Sequence, residues 1–169
     1  EIEKFTEFCA AGINRLSIGI QSFNDAHLHA LGRVHNAGEA ARAGELGLKT
    51  FPRVNLDLMY ALPNQNECDA KADIAQAIAY GATHISAYQL TLEPNTLFAA
   101  KPPQGIPEMD DAWDMQERCI ELIQTHGYEQ YEISAYAKPG KRCQHNLNYW
   151  QYGDYLGIGA GAHGKISSG

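Results

Sequence analysis

No two cysteines in this sequence lie close enough to share a metal ion or close a short disulfide loop: Cys9, Cys68, Cys119 and Cys143 are separated by 59, 51 and 24 residues. That spacing excludes a contiguous zinc or iron–sulfur motif within the chain and fits a reducing, cytoplasmic setting. Basic residues are also scarce, 13 against 20 acidic ones, for a net charge of −7. Without a broad cationic field for phosphate backbones, a nucleic-acid partner is not expected. No apolar run approaches the roughly 20 residues of a membrane helix, so no membrane span is expected, and the opening EIEKFTEFCAAG has neither the basic start nor the apolar core of a secretory signal. Walker loops, nucleophile elbows and kinase signatures are all missing, and no catalytic residue is assigned.

What is present is 169 residues, 44% of them hydrophobic, enough for one core. Residues 1–11 read as an amphipathic helix, with Ile2, Phe5, Phe8 and Cys9 on one face and Gly12 as its stop. A domain that opens on a helix with no lead-in is expected to be missing earlier elements. Residues 15–20 form a β-rich run, Asn24 caps a helix through Leu31, and a second helix covers 37–46 before Gly47. Residues 54–60 alternate as a strand, 69–80 repeat at helical spacing, and 85–91 form a third strand. A Pro-rich crossing at 93–107 leads to a long helix over 110–126, and 128–135 reads as a further strand. The stretch 136–169, rich in Gly, aromatic residues and His, carries only a short strand expected at 155–158.

Strands alternating with helices imply parallel strands joined by crossover helices, an α/β architecture compatible with a barrel or an open sheet. In both, ligands sit at the C-terminal strand ends, which directs attention to residues 21–23, 57–63 and 89–95. Gln21, Asn55, Asp57 and Gln89 stand out, because parallel strands covered on both faces are usually apolar. A buried, unpartnered Asp is costly, so Asp57 faces water, a cation or hydrogen-bond donors, or else caps a helix or pairs with Arg33 or Arg53. Cys143 and His145, two residues apart, offer a thiolate and an imidazole that one loop could aim at iron or zinc, or form a turn with an incidental cysteine. Residues 157–164 (GIGAGAHG) lack the strand, capped helix and downstream acid of a dinucleotide site and suit close backbone packing or approach to a flat ligand instead. Tyr149, Trp150, Tyr152 and Tyr155 form an aromatic run read as core or as a stacking surface.

Five ordered stretches resemble one family: RLSIGIQSF (15–23), LGRVH (31–35), NLDLMYALP (55–63), YQLTLEPNT (88–96) and HNLNYW (145–150) followed by GDYLGIG (153–159). They are similar to the oxygen-independent coproporphyrinogen III oxidase-like radical SAM family, and HNLNYW most resembles its HemW branch, the haem chaperones. The resemblance implies the C-terminal portion of a radical SAM partial (β/α) barrel with parallel strands over 1–135, and over 136–169 the start of the following segment. It implies S-adenosylmethionine and a [4Fe–4S] cluster in the intact parent. The CxxxCxxC loop that holds the cluster is not in this sequence, so no metal site is expected in the chain, which looks like a piece starting just before the fourth barrel strand. By the same resemblance Gln21, Arg33 and Asp57 match S-adenosylmethionine-contacting positions, and Cys143 or His145 becomes a haem contact. The implied function is haem chaperoning, with haem or porphyrin and haem-acceptor proteins as partners. The alternatives are oxidative decarboxylation of coproporphyrinogen III, or an isolated α/β domain inactive without the cluster loop.

Overall fold

In the computed structural model, which describes residues 2–167, hydrophobic alternation builds one mixed sheet with its helices packed on the apolar face. The elements are a 3-10 turn at Ile2–Lys4, α1 (Phe5–Ala10), β1 (Leu16–Gln21), α2 (Asp25–Ala30), α3 (Ala37–Thr50), β2 (Val54–Tyr60), α4 (Glu67–Ala79), β3 (His84–Gln89), α5 (Leu97–Ala100), α6 (Met109–Thr125), β4 (Glu129–Gln130), β5 (Ala135–Ala137) and α7 (Gln144–Trp150). Strand order is β1-β2-β3-β5-β4, with β1, β2 and β3 parallel. The α/β expectation holds, and the crossovers through α3 and α4 carry the chain back beneath one face.

The expected helix over 1–11 is a 3-10 turn followed by α1; Glu1 lies outside the described residues. Phe5 is buried against Phe51, whereas Phe8 is exposed, so the apolar stripe is narrower than its spacing suggests. Gly47 does not stop α3, which runs on to Thr50. Its missing side chain brings the helix onto β1: a Cβ there would lie 2.8 Å from Ile18 Cδ1 and 3.3 Å from Leu16 Cδ2. The next helix begins at Glu67 because Asn66 accepts from the Asp69 N–H while Asp69 reaches back to the Asn66 N–H. Asp69 closes a capping box and is not the first helical residue.

The core lies between the strands and α3, α4 and α6. Val54, Leu56, Leu58 and Tyr60 of β2 and Ile85 and Ala87 of β3 meet Ala40, Ile74, Ala77, Met115, Cys119 and Ile123. Three expectations for the second half need correction. Residues 128–135 are not one strand but the first arm and turn of a hairpin, with Glu129 opposite Ala137 and Gln130 opposite Tyr136. The turn is held by Gln130 Nε2 donating to the Ile133 carbonyl at 3.0 Å, and Ile133 points to solvent. The hairpin adds β5 antiparallel to β3, so the sheet is parallel only in its first three strands. The second correction concerns 144–150, expected irregular, which form α7.

In place of a strand at 155–158 a single antiparallel bridge joins Tyr155 and Lys165. The bridge accounts for Gly157, since a Cβ there would lie 2.0 Å from the His163 carbonyl oxygen, whereas Gly159 and Gly161 have open space beside them and take φ of 113° and 71°. Close backbone approach is seen at Gly157 and Gly164. Gly169, where the sequence reading of the segment ended, lies outside the described residues.

Candidate functional site

The period-two alternation that buries Leu56 and Leu58 under helices turns Asn55 and Asp57 to the other face. Register places Ser17 beside Asn55, Gly19 beside Asp57, Asn55 beside His84 and Asp57 beside Ser86. The face of the three parallel strands turned away from α3, α4 and α6 is therefore polar, which is the reverse of a sheet covered on both sides.

Asp57 is half-buried, and both its oxygens are held. Ser17 Oγ donates to Oδ2 at 3.0 Å and Asn55 Nδ2 donates to Oδ1 at 2.6 Å. Neither Arg33 nor Arg53 forms an ion pair with it among the described residues. Asn55, only 2% exposed, also donates to Ser17 Oγ at 2.8 Å and lies 2.9 Å from Ser86 Oγ. Its carbonyl oxygen meets His84 Nδ1 at 2.6 Å, and His84 Nε2 meets Tyr131 Oη at 2.6 Å. Burial first, and the positive charge of Arg15 second, push the His84 imidazole down to about 4, so it is neutral near pH 7.

Gln21 ends β1 at a bulge between Gly19 and Gln21, with a φ of 68°. The turn is clamped from beneath by Asp73 of α4, whose Oδ2 accepts from Ser22 Oγ and whose Oδ1 accepts from the Phe23 N–H, both at 2.7 Å. Burial raises the Asp73 carboxyl above its ordinary value, while those two hydrogen bonds pull the other way. The Gln21 amide lies over Gly19, where a Cβ would come within 2.7 Å of Nε2. Its Oε1 accepts from Tyr88 Oη at 2.9 Å, and its Nε2 donates to nothing among the described residues. The Tyr88 hydroxyl is raised by burial and by the Asp57 charge, and lowered by its bond to Gln21 and by the charge of Arg33. Tyr88 is thus the group that registers Asp57 and Arg33 together. Arg33 itself is exposed just beyond α2, and Gln89 is exposed at the end of β3. Replacing Asp73 with Ala strands the half-buried Phe23 N–H and the buried Ser22 hydroxyl, and is expected to cost about 2 kcal/mol in urea unfolding. A loss below about 0.5 kcal/mol would contradict the clamp.

The structure brings Gln21 and Asp57 to one face and leaves Arg33 at its rim. It does not bring Cys143 and His145 to a common opening. Cys143 is 2% exposed at the start of α7, whereas His145 is exposed on the first turn with its ring edge-on to Tyr155 at 5.1 Å between centroids. No group of three or more His, Cys, Asp or Glu among the described residues is placed to hold a metal ion, and the four thiols are dispersed over α1, α4, α6 and the start of α7. The donor set here does not fit an iron–sulfur cluster. It does fit a small polar ligand, through a free amide donor, a carboxylate already oriented and a nearby guanidinium. Sequence reading passed over Ser17, Asp73, His84, Ser86, Tyr88 and Tyr131. Three of them sit at i, i+2 and i+4 of HISAY, an alternation that marks one strand face.

A helix-backed, largely parallel sheet with polar residues on its open face and strand ends has a solved counterpart. The structure of the coproporphyrinogen III oxidase HemN from Escherichia coli, described as a radical SAM enzyme, superposes with a TM-score of 0.78 over 98% of this chain and 42% of that one, at 21% identity. The fold is that of a radical SAM barrel segment. No family model matches the sequence. Proteins named "Heme chaperone HemW" are 52% identical in Escherichia coli K12 and 55% identical in Haemophilus influenzae, each over 99% of this chain. A mouse protein named "Radical S-adenosyl methionine domain-containing protein 1, mitochondrial" is 42% identical over 96% of it. The chain is similar to HemW sequences over almost all of its length, and it spans 44% of the length of the two bacterial relatives. No helix among the described residues is long and apolar enough to cross a membrane.

Proposed function

We propose that the protein carrying this sequence is a cytoplasmic haem chaperone that binds S-adenosylmethionine on the polar sheet face and haem through the segment around α7. The observation that carries the reading is the pairing of that face with HemW-like sequence along the whole chain. S-adenosylmethionine presents an ammonium, a carboxylate and ribose hydroxyls. The Asp57 carboxylate, held by Ser17 and Asn55, accepts from hydroxyls or the ammonium. Gln21 Nε2 donates to an acceptor beside it, and Arg33 supplies a fork for the carboxylate. The bound cofactor supplies its radical chemistry only with a [4Fe–4S] cluster, which cysteines outside this chain would hold. Of the two residues proposed for haem, His145 is accessible, whereas Cys143 reaches haem only if the start of α7 opens. Released haem passes to an acceptor protein.

The oxidase reading rests on fold likeness at 21% identity, and the sequence likeness favours the chaperone. Titrating the full-length protein with haem is expected to give a shifted Soret band that His145→Ala alters. Anaerobic incubation with coproporphyrinogen III is expected to give no decarboxylated product; product formation would overturn the chaperone reading.

A further inference from the structure

We propose that His84 is a positioning residue: with Asn55 and Tyr131 it forms a one-directional hydrogen-bond relay that couples the first turn of α7 to the Asp57 carboxylate. The inference deepens the reading of Asp57 as a contact for S-adenosylmethionine and rests on it.

The direction of the relay is fixed at its far end. Tyr131 Oη receives the Cys143 backbone N–H and Asn146 Nδ2, each at 3.2 Å. Both partners can only donate, so they occupy the two lone pairs of the hydroxyl, and its single proton must point to His84 Nε2 at 2.6 Å. Nε2 is therefore bare, and the ring proton sits on Nδ1, aimed at Asn55 Oδ1 2.6 Å away. An Asn55 amide whose oxygen faces His84 has its nitrogen towards Asp57 Oδ1 at 2.6 Å and Ser17 Oγ at 2.8 Å. Each orientation follows from the one before it, across residues drawn from β2, β3, the β4–β5 turn and the start of α7. The ring is buried, edge-on to Tyr131 with 5.5 Å between centroids.

The consequence is a coupling between two ligand regions. If residues 143–146 withdraw, as haem binding at Cys143 would require, Tyr131 regains its lone pairs and its proton is no longer committed to His84. The imidazole can then change tautomer and the Asn55 amide can turn over. A turned amide presents its oxygen to the Asp57 carboxylate, removing a donor and adding repulsion, so Asp57 moves from the position that meets ligand. The state of the first turn of α7 is thus read at the sheet face.

The test is a double-mutant cycle in the full-length protein, read as S-adenosylmethionine affinity by equilibrium dialysis. Asp57→Asn is expected to weaken binding at least about tenfold, and Tyr131→Phe, which deletes one oxygen, about three- to tenfold. In the Asp57→Asn background, Tyr131→Phe is expected to add less than about 1.5-fold, whereas a merely structural role would cost the same in both backgrounds. Unchanged affinity in Asp57→Asn overturns the ligand reading of Asp57 and the coupling with it. A loss in Asp57→Asn with equal or no effect of Tyr131→Phe in the two backgrounds overturns the relay alone. Should Tyr131→Phe not fold, ring 15N shifts of His84 in the unmodified protein decide: protonated Nδ1 with bare Nε2 at pH 7 supports the relay, and the opposite tautomer overturns it.

Discussion

Asn55→Leu is expected to lower the unfolding free energy by about 3 kcal/mol although it adds an apolar side chain of similar size to a buried site. The reason is what Asn55 leaves behind. His84 Nδ1–H loses its acceptor, Ser17 loses a donor, and Asp57 loses the closest of its two donors. The imidazole is buried and no water replaces its partner without opening the sheet, so the desolvation cost of that N–H falls on the folded state alone. Urea unfolding at pH 7 measures it, and a loss under about 1 kcal/mol would mean that the polar face is solvated and not a connected network.

The second large effect is acid destabilisation through His84. Its folded value is lowered to about 4 from an ordinary 6.5, so the unfolded chain takes up a proton first as pH falls. The contribution is fully present above about pH 6.5, declines between 6.5 and 4, and is gone below about 4. That gap amounts to about 3 kcal/mol at most. Unfolding free energies at pH 7 and 4.5 are expected to differ by less in His84→Gln than in the unsubstituted chain, because glutamine binds no proton in either state. An equal pH dependence in the two would show that the carboxylates alone account for acid sensitivity.

Much of the fold is legible in the sequence because strands β1, β2 and β3 carry clean alternation between glycine, proline and capping asparagine signals. The Asn24 cap read from the sequence accepts a backbone hydrogen bond, and so do Asn36 and Asn66, which the sequence reading did not single out. The misses have local causes. Gly47 reads as a stop, but close contact with Ile18 selects it within a helix. The β4–β5 hairpin hides because its arms are two and three residues long, too short for periodicity to separate from one strand. Half of the site is legible through polar residues misplaced for a buried strand, Asn55 and Asp57. Asp73 and Tyr131 are not, since their roles come from contacts spanning 50 residues for Asp73 with Phe23 and 47 for Tyr131 with His84. Cys143 and His145 are neighbours in sequence, yet the start of α7 buries one and exposes the other.

The central claim is that the polar face of β1, β2 and β3 is a binding face for S-adenosylmethionine. It is tested most directly by the affinity of the full-length protein for that ligand, with and without Asp57→Asn. A loss of about tenfold or more with the melting temperature preserved is the predicted result. Equal affinity in the two proteins would contradict the account.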